Sequence, residues 1–190
     1  MAHVTGAARQ PAPALAFHPV DAARWPDFER LFESRGGPKW CWCMAWRATP
    51  QEVGLDSAGR KAALHARVRA GVPIGILGYC DGEPVAWCSI APRESYRPLG
   101  GPEDGERVWS LACMFVPRPL RGQGLADRLI AAAVEHARAQ GATVVEAYPV
   151  DPDSPSYRFM GFVRAFARAG FTEIGRAGSR RHVMRLRVSG

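Results

Sequence analysis

The chain has 190 residues, 47% of them hydrophobic, enough for one sizeable core, and no repeat or linker divides it. Its net charge of +7 comes almost wholly from arginine, and no apolar run reaches the length that a membrane span needs. Residues 1–12 lack an apolar signal region, so the expectation is a cytoplasmic protein with a disordered leader over 1–12 and a single domain over 13–190.

Residues 14–20 are strand-like, and Trp25, Phe28, Leu31 and Phe32 then form a helical stripe that ends at Gly36. A second helix is predicted over residues 57–70, with Ser57 as N-cap and Gly71 and Pro73 as its stop. Residues 74–79 and 84–90 are two strands of a hairpin that turns at Asp81-Gly82, a pair that tolerates positive φ. Residues 92–106 are a loop rich in proline, glycine and charge. The nearly all-apolar run 108–116 is a strand buried on both faces. A helix follows, with Leu125, Leu129, Ile130, Ala133, Val134 and Ala137 on its apolar face and Gly141 at its close. A strand over 143–149, a short helix over 162–169 closed by Gly170, and strands over 171–176 and 182–188 complete an α/β domain.

The junction Val116-Pro117-Arg118-Pro119-Leu120-Arg121-Gly122-Gln123-Gly124-Leu125-Ala126 joins a buried strand to an amphipathic helix. Gly122 and Gly124 allow close main-chain approach to a ligand, and the first amides of the helix lack intrahelical partners. The helix dipole adds about half a positive charge there, and Arg118 and Arg121 add full ones, so this turn suits a diphosphate. No Gly-Lys-Ser or Gly-Lys-Thr triplet is present, and Asp127 stands where a dinucleotide fingerprint needs its third glycine.

Arg121, Gly124 and Ala126 in the spacing Arg-x-x-Gly-x-Ala resemble motif A of the GNAT N-acetyltransferase superfamily, and Ala169-Gly170-Phe171 resembles the signature that ends its last helix. The likeness extends over residues 14–188. It implies a mixed central sheet of about seven strands flanked by about four helices. It also implies acetyl-CoA as co-substrate, no metal, and direct transfer to a primary amine of a small molecule or peptide. By the same likeness the Met114 amide meets the acetyl oxygen, the Val116 amide holds the pantetheine arm, and Met114, Phe115, Val116, Arg118, Arg121, Gly122, Gln123, Gly124, Leu125 and Ala126 bind the coenzyme. The alternative is a catalytically silent acyl-CoA sensor or partner-binding module. It is motivated by Ser110 where some members carry a glutamate base, and by Phe166 where many carry a proton-donating tyrosine.

An amine must be neutral to attack a thioester, and an alkylamine of pKa ~10.4 costs roughly 4–5 kcal/mol to deprotonate at pH 7. Glu146 is the local candidate for the base; the competing reading pairs it with an arginine such as Arg164. Tyr148, Tyr157 or water is left to protonate the thiolate. Cys113 has no evident His partner that would make it a nucleophile.

The segment Lys39-Trp40-Cys41-Trp42-Cys43-Met44-Ala45-Trp46 resembles the Cys-Trp-Cys-Met segment of a bacterial GNAT subgroup, and Trp40, Trp42, Trp46 and Arg93 are the candidate acceptor contacts. If extended, the segment puts Trp40 and Trp42 on one face, where indoles attract an alkylammonium; the alternative is that the tryptophans pack a helix pair onto the sheet. Cys41, Cys43, Cys80, Cys88 and Cys113 lack zinc-site spacing, and hairpin pairing puts Cys80 opposite Glu83 rather than Cys88. Eight arginines crowd residues 158–187 with only Glu173 opposing them locally. They either attract phosphates or form a solvated surface, and no nucleic-acid motif accompanies them. The expected assembly is a monomer or homodimer, without membrane contact.

Overall fold

The computed structural model describes residues 14–188; the leader expected over 1–12 lies outside the described residues. Seven strands form one sheet in the order β1 (Leu15–Pro19), β2 (Ile76–Cys80), β3 (Glu83–Pro92), β4 (Val108–Phe115), β5 (Val144–Ala147), β7 (Arg181–Arg187) and β6 (Thr172–Ala177). Among the described residues only β4 and β5 are strands paired in parallel. Four α-helices accompany the sheet: α1 (Trp25–Glu33), α2 (Ser57–Arg69), α3 (Leu125–Ala139) and α4 (Val163–Arg168). No helix among the described residues is long and apolar enough to cross a membrane.

Alternation along the strands divides the core in two. Cys88, Ile90, Trp109, Leu111 and Val145 point to one side, where the predicted stripe Leu129, Ile130, Ala133 and Ala137 of α3 is wholly buried against them. Leu77, Tyr79 and Trp87 point to the other, where they meet Trp25, Phe28, Leu31 and Phe32 of α1 together with Trp42, Cys43 and Met44. The hairpin turns at Asp81 (φ 50°) and Gly82 (φ 83°) and pairs Cys80 with Glu83, as its turn chemistry predicts.

The N-cap of α2 differs by one residue from the sequence expectation. Asp56 accepts from the Gly59 amide at 2.8 Å, while Ser57 donates to the Lys39 carbonyl at 2.6 Å and accepts the Trp42 indole N–H at 3.1 Å. A carboxylate one residue earlier takes the capping position and frees the hydroxyl to anchor the tryptophan-rich segment.

Two irregularities shape the site. Between Ser89 and Ile90 the register with β4 slips, because Ser89 faces Cys113 and Ile90 faces Leu111, leaving Ala112 as the extra residue of a bulge. In addition, β4 continues along β3 to Phe115 but parts from β5 after the Leu111–Ala147 pair. Pro149, which has no N–H to donate, follows directly on Tyr148, so the expected strand over 143–149 is cut to four residues.

Candidate active site

At the carboxyl end of β4 the chain makes a single turn of 3-10 helix, Arg118–Leu120, and then enters α3 through Gly122 (φ 77°) and Gly124 (φ 75°). Both glycines are left-handed, and a Cβ on either would meet nothing within 4 Å, so backbone conformation rather than space selects glycine here. Gly124 is the N-cap of α3 and no side chain caps the helix. Among the described residues no turn or loop hydrogen bond is donated by the amides of residues 122–126. The result is a row of free amides at a positive helix end. Two side chains brace the turn from outside: Arg121 Nε donates to the Val116 carbonyl at 2.9 Å, and Gln123 Nε2 to the Pro119 carbonyl at 3.1 Å.

Where β4 leaves β5 a cavity of about 500 Å³ opens. Ala112, Cys113, Met114 and Phe115 of β4 form one wall, and Trp40, Cys41, Cys43 and Trp46 face it from the tryptophan-rich segment. Tyr96, Arg97, Tyr157 and Phe159 complete the mouth, and no aspartate or glutamate lines it. Arg181 stacks on Trp46 and Tyr157, 4.5 and 5.5 Å from their ring centres.

The structure divides the predicted acceptor residues. Trp40 is 69% exposed at the cavity, and Trp46 lines it with its indole N–H unpartnered. Trp42 is core: it is 2% exposed and stacks on Trp25 and Phe32 at 6.5 and 5.6 Å. The segment is not extended. Successive turns, in which the Cys41 and Trp42 amides donate to the Pro38 carbonyl and Trp42 and Cys43 take positive φ (47° and 57°), rotate the two indoles to opposite sides. Arg93 is also absent from the cavity, since its guanidinium donates to the Pro102 carbonyl at 2.7 Å and pairs with Glu103 at 3.3 Å.

Glu146 is fully buried, and both its oxygens are taken: Oε1 by the Tyr148 hydroxyl and Oε2 by Arg185 Nε at 2.6 Å, with Arg93 Nη1 3.9 Å from Oε1. Arg185 also holds Asp104, and Gly101 lies over the carboxylate so closely that a Cβ would collide with it. This arrangement is the ion-pair reading of Glu146, with Arg185 and Arg93 in the place given to Arg164. Neither Glu146 nor Tyr148 lines the cavity; Tyr148 packs beneath Tyr96 and Ala112, its hydroxyl 2.8 Å from Ser110 Oγ. Burial and the neighbouring Glu146 push the Tyr148 phenol upward, away from easy proton release. Phe166 is wholly buried against α3, while Tyr157, the other tyrosine named as a proton donor, lies at the cavity mouth with Tyr96.

A second group behind the cavity escaped the sequence reading. Arg47, 4% exposed, has Nη2 at 2.7 Å from the Ile74 carbonyl, 2.8 Å from Ser89 Oγ and 2.6 Å from the Tyr96 hydroxyl, while Nε and Nη1 have no partner. Cys43 Sγ accepts the Trp87 indole N–H at 3.3 Å. A hydrogen bond from Cys113, then Arg47 and Trp87, hold the Cys43 thiol below its ordinary range, and the same contact with Cys43 pushes Cys113 well above it. Cys41 is driven up to about 11, chiefly by burial.

The Acetyltransferase (GNAT) family pattern matches residues 23–171. An L-methionine sulfoximine/L-methionine sulfone acetyltransferase of Pseudomonas paraeruginosa is 34% identical over 102 residues, 54% of this chain and 53% of that one. The P. aeruginosa protein of the same name is 33% identical over the same length. This chain thus spans about half the length of those relatives. Among solved structures, aminoglycoside acetyltransferase AAC(6')-Ib in complex with coenzyme A superposes with a TM-score of 0.61 at 16% identity, over 92% of this chain and 95% of that one. Salmonella typhimurium yncA with acetyl-CoA does so at 0.54 and 17% identity, over 93% and 95%. These structures share the fold.

Proposed function

Because the chain belongs to the Acetyltransferase (GNAT) family, we propose that it transfers the acetyl group of acetyl-CoA directly to a primary amine of a small molecule or peptide. One observation carries this reading. The uncapped, glycine-framed start of α3 lies on the same strand end whose parting from β5 opens the cavity, so a diphosphate on residues 122–126 would direct a thioester along Met114 and Phe115. There a main-chain amide such as that of Met114 would polarise the acetyl carbonyl, and the tetrahedral oxyanion would need no metal.

The cavity also constrains the acceptor. Among the described residues no carboxylate lines it, Arg97 does, and Arg181 and the buried Arg47 stand behind its lining residues, so a polycation such as the aminoglycosides of the structural neighbour would be repelled. An alkylamine would need roughly 4–5 kcal/mol to lose its proton at pH 7, whereas a peptide-type α-amino group of pKa ~7.7–8.0 needs only about 1. A site without a carboxylate base therefore fits an α-amine on an apolar or aromatic body, its carboxyl end toward Arg97. The amino-acid acceptors named for the Pseudomonas relatives share the α-amine and the carboxyl end, on a polar sulfur side chain. Tyr157 or water would then return a proton to the departing thiolate. Measuring CoA release from acetyl-CoA with α-amino acids, peptides, alkyl diamines and aminoglycosides tests this reading. Turnover with α-amines alone is expected, and preference for the polycations would refute it.

The silent-sensor alternative draws on the same absence of a cavity carboxylate. Thiol release above background with any amine in that panel would eliminate it.

A further inference from the structure

We infer that Cys43 and Cys113 form an oxidant-sensitive dithiol in the cavity wall, which a peroxide converts to a disulfide that ties the tryptophan-rich segment to the bulge of β4. Both cysteines line the cavity, and Cys113 packs against the cluster that contains Cys43. The bulge at Ala112 is what brings Cys113 to this side, since without the extra residue strand alternation would alternate it away from Ala112. Cys43 is held from the opposite side by two consecutive non-glycine residues in the left-handed region, Trp42 and Cys43 itself. Such strain persists only where the surroundings enforce it, and here it aims the sulfur at the Trp87 N–H.

The charge environment selects the reactive partner. Arg47 is buried beside Ser89 and Tyr96 with two nitrogens lacking a hydrogen-bond partner, and its charge favours a thiolate at Cys43. Cys113 stands across the cavity wall from it, and the neighbouring Cys43 and burial push its thiol upward, so it is the resolving partner. Cys88 is wholly buried, Cys80 sits in the hairpin away from the cavity, and Cys41, which also lines it, donates its S–H to the Pro38 carbonyl at 3.5 Å and is held protonated, so none competes.

The chemistry balances with a hydroperoxide as oxidant. The Cys43 thiolate attacks one peroxide oxygen, forming S–O and breaking O–O, and hydroxide leaves and takes up a proton from water. The Cys113 thiol then attacks the sulfenic sulfur, forming S–S and breaking S–O, with water as the leaving product. A bond between the two sulfurs ties the two cavity walls together. Loss of acceptor turnover is the expected consequence, and that clause alone rests on the proposed acetyl transfer.

Hydrogen peroxide treatment of the full chain, followed by alkylation, digestion and mass spectrometry, tests the site independently of activity. The expected product is a peptide pair joined through Cys43 and Cys113, lost on reduction, with Cys80 and Cys88 still alkylated. In Cys113→Ser, dimedone should capture a sulfenic acid at Cys43. Crosslinks through other cysteines, oxidation that leaves Cys43 untouched, or no dimedone adduct in the variant would overturn the inference.

Discussion

Replacing Gly124 separates anion binding from folding. In Gly124→Asp the new carboxylate sits at the N-cap of α3, where it accepts from the amides of the first turn that a diphosphate would otherwise use. Each charge-assisted hydrogen bond lost is worth roughly 1.5–3 kcal/mol, and a like charge about 4 Å away adds between ~1 and ~4 kcal/mol depending on exposure. A total of at least ~3 kcal/mol weakens coenzyme A binding about 100-fold or more. Folding should barely respond. The left-handed backbone (φ 75°) costs a side chain about 1 kcal/mol, the new cap returns about as much, and the Cβ meets nothing within 4 Å. Gly124→Ala bears the strain without the blocking charge, so it should lose about 1 kcal/mol of stability, or ~2–4 °C, and bind within a few-fold of wild type. Titration calorimetry with coenzyme A alongside thermal unfolding reads both quantities. Unchanged affinity in Gly124→Asp would refute the anion-site reasoning.

Trp42→Ala should unfold easily, losing about 3–5 kcal/mol as a buried stack is emptied, whereas Trp40→Ala should keep its melting temperature and alter only acceptor KM. Equal melting temperatures for the two variants would contradict the division of the segment. Glu146→Gln leaves Arg185 and Arg93 without their shared counter-charge, and a loss of about 3 kcal/mol, or ~6–12 °C, is expected. An unchanged melting temperature with loss of the acidic limb of the rate profile would return Glu146 to the role of base. The Arg67 side chain, donating to Glu52, holds that carboxyl down to about 2. Because the folded-state pKa lies below the unfolded one, the pair's contribution is complete above pH ~4.5 and is lost as pH falls toward about 2. Urea titrations should show Glu52→Gln less stable than wild type by about 2–3 kcal/mol at pH 7, with the two converging near pH 2; a pH-independent difference would be inconsistent with this pair.

Local patterning made most elements legible. The stripes of α1 and α3 and the Asp81-Gly82 reversal depend on spacing of 3.6 or 2 and on turn chemistry within a few residues, and each is found where those rules put it. The glycine turn before α3 was legible for the same reason. What escaped are pairings that only the sheet order creates. The crowded arginines seemed opposed by Glu173 alone, yet Arg185 meets Asp104 and Glu146, Arg187 meets Glu106, and Arg168 meets Asp127, all from other elements. Through Asp104 and Glu106, Arg185 and Arg187 clamp the loop before β4.

The tryptophan-rich segment was not legible for a different reason. Left-handed φ at Trp42 and Cys43 is set by packing, since neither is a glycine or an asparagine, so residue types alone leave open whether the indoles share a face or pack as core. The nearness of Cys43 to Cys113 likewise depends on a β-bulge with no residue signature. Pro149 is the one readable sign that β5 stops early, while β4 runs on paired with β3 only.

A crystal structure with acetyl-CoA bound addresses the central claim most directly. The account predicts diphosphate density on the main-chain amides of residues 122–126 and the thioester beside Met114, facing the cavity between Trp40 and Tyr157. Coenzyme bound elsewhere, with that turn vacant, would contradict it.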